Sequence, residues 1–123
     1  MGTTRRVVIM DDEPGFAETL QKMLNGFGFE VAIATDAAAR ETLNLENSDI
    51  VFVDITTPPL SWRQLLRQLA RQDAKAAIVM MGRQFEPLEE AEKFAKKLKI
   101  NLLGAIEKPF RLDDLMDILP GAN

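Results

Sequence analysis

Apolar runs of strand length alternate with segments of helical periodicity along the chain, and this alternation restricts the fold more than any other feature. It predicts five strands, each followed by a helix. The predicted strands lie at residues 6–10, 30–34, 49–53, 76–81 and 102–106. Most of them are too uniformly apolar to have one wet face, which is typical of a parallel sheet covered on both sides. The sequence therefore predicts an α/β fold of five βα units.

Local signals predict where several helices begin. Pro14 suits the first turn of a helix. Ser61 and Gln64 have the spacing of a capping box at the start of the third helix. Pro87 begins the fourth helix, and an alanine-rich second helix is predicted at about residues 35–45.

Composition excludes several classes of function. The 123 residues fit a single domain, predicted to span residues 1–123 with an ordered core at about 5–119. The chain has no cysteine and no histidine, which excludes disulfides, thiolate or imidazole metal sites, and Ser-His-Asp or Cys-His catalysis. A net charge of -4 argues against direct nucleic-acid binding. No apolar run approaches the roughly 20 residues that cross a bilayer, so we expect a soluble, cytoplasmic protein without a membrane partner.

Charged residues follow three of the predicted strands. Asp11 and Asp12 follow the first strand, Asp54 follows the third and Lys108 follows the fifth. The carboxyl ends of parallel strands meet at one edge of a sheet, so these side chains are expected to share a pocket. Three carboxylates repel one another unless a cation compensates them, and Mg²⁺ prefers such oxygen ligands. Lys108 offers a second positive charge to an anion in the same pocket.

Each of these residues also has a structural interpretation when taken singly. An acidic residue just before Pro14 is a reasonable helix cap, which leaves that alternative open for Asp12 and Glu13. An aspartate that closes an apolar strand, such as Asp54, often only starts a turn. Their convergence at one edge of the sheet favours a common site.

The order of these residues along the five βα units gives nearly the whole chain a resemblance to a receiver domain. Receiver domains are the response regulator domains of two-component signal transduction systems. The matching features are the acidic pair, the lone Asp54 with Pro58 four residues later, and Lys108 followed by a proline and a phenylalanine. The resemblance implies a flavodoxin-like, doubly wound sheet of strand order 2-1-3-4-5 with helices on both faces. It also implies a cis peptide bond between Lys108 and Pro109.

The resemblance assigns a role to each site residue. Asp54 would be the phosphoacceptor, and Lys108 would pair with the phosphoryl group. Asp12 would bind Mg²⁺ directly, Asp11 directly or through water, and Thr56 through its backbone carbonyl. A carboxylate can attack phosphorus to form an acyl phosphate while these cations neutralise charge.

The resemblance also implies partners. Because the chain contains no histidine, the donor would be a sensor histidine kinase or a histidine phosphotransfer protein, with small acyl phosphates as surrogates. The signal would pass to a downstream protein or output domain, and the sequence leaves a homodimer open. Apart from promoting its own phosphorylation and dephosphorylation, the chain is not expected to be an enzyme.

Two positions depart from the family pattern. Receivers usually carry a Thr or Ser at the end of the fourth strand, whose hydroxyl contacts a phosphoryl oxygen, but this chain has Met81 there. The usual aromatic switch residue is Ala105. Two hypotheses follow: Asp54 is phosphorylated and the signal passes without this pair, or the domain is an interaction module that depends little on phosphate. Met81 could pack over the pocket and weaken ordering of the phosphorylated state.

A third hypothesis belongs to another class of protein. Small phosphatases of the haloacid-dehalogenase type also form an aspartyl phosphate, but they carry an aspartate two residues after the nucleophile. Thr56 occupies that position here. The sequence therefore disfavours such an enzyme.

Overall fold

In a computed structural model of the chain, the residues described are 5–36, 48–56, 61–72 and 75–119. Within these ranges the chain forms five strands and four helices. In chain order they are β1 Arg6–Met10, α1 Pro14–Gly26, β2 Glu30–Ala34, β3 Ile50–Asp54, α2 Trp62–Arg71, β4 Ala77–Arg83, α3 Leu88–Lys97, β5 Leu102–Lys108 and α4 Leu112–Ile118. The helix predicted at about residues 35–45 falls almost entirely outside the described residues.

All five strands belong to one parallel sheet of order β2-β1-β3-β4-β5, which confirms the predicted fold and strand order. The strand ends differ from the prediction. The third strand includes Asp54, the fourth continues to Arg83 and the fifth continues to Lys108. Arg83 and Lys108 are paired across β4 and β5, so backbone pairing continues beyond the apolar run. The polar groups at this edge therefore stand on a rigid sheet.

Helices cover both faces of the sheet, because successive strand residues point to opposite sides. One face packs against α2 and α3, and the other packs against α1 and α4. The first apolar cluster includes Val51, Val53, Met80, Leu65, Leu66, Leu69, Ala91 and Ala95. The second includes Ile9, Phe52, Met81, Ala17, Leu20, Leu24 and Leu115. Burial on both faces explains why the strands are apolar at consecutive positions.

The helix starts follow local chemistry. The predicted capping box is confirmed: the Ser61 hydroxyl accepts from the Gln64 amide at 3.2 Å, and the Gln64 side chain accepts from the Ser61 amide at 2.9 Å. Pro87 is the N-cap of α3, which begins at Leu88, because the ψ of Pro87 is 55° and not helical. Among the residues described, no helix combines the length and apolar character needed to cross a membrane.

Candidate functional site

A buried lysine lies at the centre of the carboxyl edge of the sheet. The Lys108 ammonium nitrogen is 2.6 Å from Asp11 Oδ2, 2.7 Å from Asp54 Oδ2 and 3.4 Å from Glu13 Oε1. Lys108, Asp11 and Asp54 are almost inaccessible to solvent, at 3%, 0% and 2% exposure. The structure thus brings together residues 97 positions apart in the chain. Such charges are buried only because each has an opposite charge as its partner.

Backbone hydrogen bonds hold the two buried carboxylates in place. Asp11 Oδ1 accepts the Glu13 amide at 2.9 Å, in the turn that leads from β1 into α1. Asp54 Oδ1 accepts the Thr56 amide at 2.8 Å and the Thr56 hydroxyl at 2.7 Å. These donors leave Oδ2 of each carboxylate turned towards Lys108. The orientation of both acids is therefore set by the chain segments that follow them.

Aromatic rings support the lysine. The Lys108 ammonium lies 4.2 Å from the centroid of the Phe16 ring, within the range of a cation–π contact. Phe16 in turn packs edge-on against Phe110, with ring centroids 5.4 Å apart. The peptide bond between Lys108 and Pro109 is cis, as the resemblance implied.

Burial and ion pairing oppose each other in setting the pKa values of the site. Burial raises the pKa of Asp11 above its ordinary value, and the hydrogen bond from Lys108 only partly offsets this effect. Burial also acts to raise the pKa of Asp54, but the hydrogen bonds from Lys108 and Thr56 outweigh it and hold the pKa below its ordinary value. The two carboxylates together outweigh desolvation at Lys108 and raise its pKa. Asp54 is consequently the more readily ionised of the two buried acids.

Two further charged residues, Glu13 and Arg83, join the site and were missed by the sequence analysis. The Arg83 guanidinium contacts Glu13 Oε2. Its hydrogen bond, followed by the Lys108 charge, overcomes partial burial and lowers the pKa of Glu13. The prediction ended the fourth strand at Met81. Continuing its alternation by two residues would have placed Arg83 on the same face of the sheet as Met81.

The proposed helix-capping role is wrong for Glu13. It occupies the N-cap position of α1, but its side chain makes no capping hydrogen bond. Its carboxylate instead lies between Lys108 and Arg83. Asp12 is exposed beside it. The acidic residues between β1 and α1 therefore contribute to the site, although they also lie at the start of α1.

The residues present fit a divalent cation of the magnesium type. Asp11, Asp12, Glu13 and Asp54 each offer a carboxylate oxygen, and these four oxygens lie within 4.8 Å of one another. Four carboxylates set against the two cations Lys108 and Arg83 leave two negative charges, the charge that one Mg²⁺ balances. Hard oxygen donors are the ligands that Mg²⁺ prefers. The carbonyl ligation assigned to Thr56 stays a prediction.

The two departures from the family pattern lie beside the acidic cluster and on the edge strand. Met81 is the register partner of Asp54 and is fully buried. Its side chain belongs to the apolar cluster beneath α1 and α4. Ala105 is half-buried in β5. The face of β4 next to Asp54 therefore presents a thioether where the family usually presents a hydroxyl.

A doubly wound parallel sheet that gathers acidic groups and a buried lysine at its carboxyl edge is the arrangement that the resemblance to receiver domains implied. The chain belongs to the response regulator receiver family, because the family described as "Response regulator receiver domain" matches residues 7–120.

Curated relatives agree with this assignment, and a solved structure agrees with the fold. The C4-dicarboxylate transport transcriptional regulatory protein DctD of Pseudomonas aeruginosa is 30% identical over 114 residues, covering 91% of this chain and 24% of DctD. Chemotaxis protein CheY of Bacillus subtilis is 29% identical over 119 residues, covering 93% of each chain. A response regulator structure from Colwellia psychrerythraea, 23% identical, has a TM-score of 0.79 and covers 94% of this chain and 93% of that one. The chain thus spans about a quarter of DctD but nearly all of CheY.

Proposed function

We propose that this receiver domain accepts a phosphoryl group on Asp54 from a phosphohistidine donor, in a Mg²⁺-dependent reaction in the cytoplasm, and signals through altered protein–protein interactions. One observation carries the proposal: the Asp54 carboxylate is buried, 2.7 Å from the Lys108 ammonium and inside a cluster of carboxylates that could hold a divalent cation. Apart from promoting its own phosphorylation and dephosphorylation, the domain has no proposed enzymatic activity.

The proposed chemistry is a transfer between two nucleophiles. An oxygen of the Asp54 carboxylate attacks phosphorus, the N–P bond of the phosphohistidine breaks, and its electron pair stays on the imidazole nitrogen. The product is an acyl phosphate on Asp54. The lowered pKa of Asp54 keeps the nucleophile deprotonated. Lys108, whose ammonium is 2.7 Å from Asp54 Oδ2, would neutralise charge on the transferring group.

Mg²⁺, when bound, would supply further neutralisation of the phosphoryl oxygens. Asp12 and Asp11 would hold it, together with Asp54 and the backbone carbonyl of Thr56. The absence of histidine from the sequence supports a donor on another protein, either a histidine kinase or a histidine phosphotransfer protein. The recipient of the signal would be a downstream protein or output domain.

A second candidate function is a receiver-fold interaction module that acts largely without phosphorylation. The observation that favours it is the pair of switch-position departures. Met81, beside Asp54, is fully buried among apolar side chains, and Ala105 carries no aromatic ring. A phosphorylated state would then lack two contacts that usually distinguish it from the unmodified state.

Intact-mass measurement after incubation with Mg²⁺ and acetyl phosphate separates the two candidates. We expect wild type to gain one phosphoryl group and Asp54→Asn to gain none. Asp117→Asn, which removes an exposed acid from α4, is the matched control and should behave as wild type. If wild type gains no phosphoryl mass from acetyl phosphate or from a phosphohistidine protein, the first candidate is wrong and the interaction module is favoured.

A further inference from the structure

The phosphoryl group proposed on Asp54 lacks one of the donors that the family resemblance assigns to it. Its three terminal oxygens would face the cation, Lys108 and the end of β4. Met81 stands at the end of β4 and offers no hydrogen bond to an anion. The chain contains no Ser, Thr or Tyr after Ser61, so no hydroxyl of β4 or a later element can replace it.

Arg83 carries the only side-chain hydrogen-bond donor of β4. It follows Met81 by two residues, and since side chains alternate along a strand, it points to the same face as Met81 and Asp54. Its guanidinium contacts Glu13, whose other carboxylate oxygen is 3.4 Å from Lys108. After Glu13, the charge of Asp54 also contributes to raising the pKa of Arg83. The guanidinium is thus linked to the phosphoacceptor through Glu13 and Lys108.

We propose that Arg83 replaces the missing hydroxyl, leaving Glu13 on phosphorylation and donating hydrogen bonds to a phosphoryl oxygen on Asp54. This inference rests on the proposed function. Phosphorylation changes the charge at Asp54 from -1 to about -2 and adds strong acceptor oxygens, which makes the modified residue a better partner than a single carboxylate. A guanidinium binds such oxygens through two parallel N–H groups.

Breaking the contact between Arg83 and Glu13 should require little free energy, because both side chains are partly exposed. The Arg83 and Glu13 side chains are 54% and 37% exposed, so water can solvate both while the guanidinium moves. Glu13 also keeps Lys108 as a second cationic partner after Arg83 has left. Arg83 therefore contacts Glu13 while Asp54 is unmodified, and it would contact the phosphoryl group once Asp54 is phosphorylated.

Thr56 is the competing donor, and its present contacts argue against it. Both its amide and its hydroxyl are already directed at Asp54 Oδ1, from the β3 side of the pocket. The missing hydroxyl belongs to the β4 side, where Arg83 stands. Thr56 therefore orients the carboxylate, and the two residues can be tested separately.

Binding of beryllium trifluoride, a tetrahedral phosphoryl mimic that coordinates a carboxylate oxygen, tests the proposal without a transfer step. Its affinity in the presence of Mg²⁺ can be followed by fluorine NMR for wild type, Arg83→Ala, Arg83→Lys and Thr56→Val. Arg71→Ala removes an exposed arginine of α2 and is the charge-matched control. Calorimetric titration with Mg²⁺ alone provides a readout of the metal site.

We expect Arg83→Ala to lower the affinity for beryllium trifluoride about tenfold, the effect of losing one charge-assisted hydrogen bond. Arg83→Lys should recover part of the loss, because it keeps the charge but not the planar fork. The affinity for Mg²⁺ alone should not fall in Arg83→Ala, since a competing cation has been removed. Arg71→Ala should match wild type in both titrations.

The failures of the two proposals are distinguishable. If wild type neither binds beryllium trifluoride nor gains phosphoryl mass, the proposed function fails and takes this inference with it. If wild type does both but Arg83→Ala has the affinity of Arg71→Ala, only the role of Arg83 is overturned. The same conclusion follows if Thr56→Val carries the loss of affinity and Arg83→Ala does not.

Discussion

At the scale of single residues, one ammonium group is shared by three carboxylates, so its single positive charge does not balance theirs. Lys108 contacts Asp11, Asp54 and Glu13, and Glu13 also contacts Arg83. The remaining negative charge suits the divalent cation proposed for this pocket. The pKa values of the two buried acids shift in opposite directions: desolvation prevails at Asp11 and raises its pKa, whereas at Asp54 the hydrogen bonds from Lys108 and Thr56 outweigh desolvation and lower the pKa.

The opposite pKa shifts of Asp11 and Asp54 predict how the stability of the metal-free protein depends on pH. Because the pKa of Asp54 is lower in the folded state than its ordinary value of 3.8, the ionised carboxylate stabilises the fold. This stabilisation is fully present above pH 3.8 and is lost as the pH falls through the folded-state pKa. The raised pKa of Asp11 means that folding favours its protonated form, so wild type gains stability as the pH falls through that pKa towards 3.8.

Urea unfolding from pH 7 to pH 3 checks both signs. Relative to Asp54→Asn, wild type should lose stability at the acid end of this range. Relative to Asp11→Asn, it should gain stability as the pH falls. Parallel pH profiles for wild type and both variants would contradict the assignment of charge states.

At the scale of elements, the edge strand β5 approaches α4 too closely for a side chain at one position. A Cβ atom built on Gly104 would lie 2.4 Å from Ile118 Cδ1 and 2.7 Å from Ile118 Cγ1. Both atoms belong to the half-buried Ile118 side chain, so either this side chain or α4 would have to shift. Gly104 therefore leaves the space that the Ile118 side chain occupies against β5, next to the switch-position Ala105.

We expect Gly104→Ala to destabilise the fold by about 1–2 kcal/mol, the usual cost of overpacking. Ile118→Val in the same chain should recover part of the loss, because it removes the Cδ1 atom in the clash. Gly15→Ala, where no atom lies within 4 Å, is the matched control and should not destabilise. Thermal and urea unfolding measure these changes, and equal effects at positions 104 and 15 would contradict the proposed packing.

At the scale of the whole molecule, the sheet gathers the proposed cation site from segments far apart in the chain. The site combines the β1–α1 segment with the end of β3, and β5 supplies the central lysine. Since these segments meet only in the folded state, a cation bound there stabilises the fold as a whole.

Mg²⁺ should therefore raise the free energy of unfolding of wild type, by about 2.7 kcal/mol at a concentration 100-fold above its dissociation constant. Asp12→Asn should fold normally, because Asp12 is exposed, but should lose most of this gain. Urea unfolding with and without Mg²⁺, against sodium chloride at matched ionic strength, measures the difference. An equal gain in both proteins would place the cation elsewhere.

The sequence by itself determined the elements and the edge at which function collects. Apolar runs and capping residues such as Ser61 act locally, so strands, helix starts and the convergence of Asp11, Asp54 and Lys108 could be predicted from the chain. The strand order came from the family resemblance. Only the tertiary structure decided that β4 continues to Arg83, that Glu13 turns from the helix start to the site, and that Lys108 is buried among the acids. These features depend on register and ion pairs between segments distant in sequence, which no local pattern encodes.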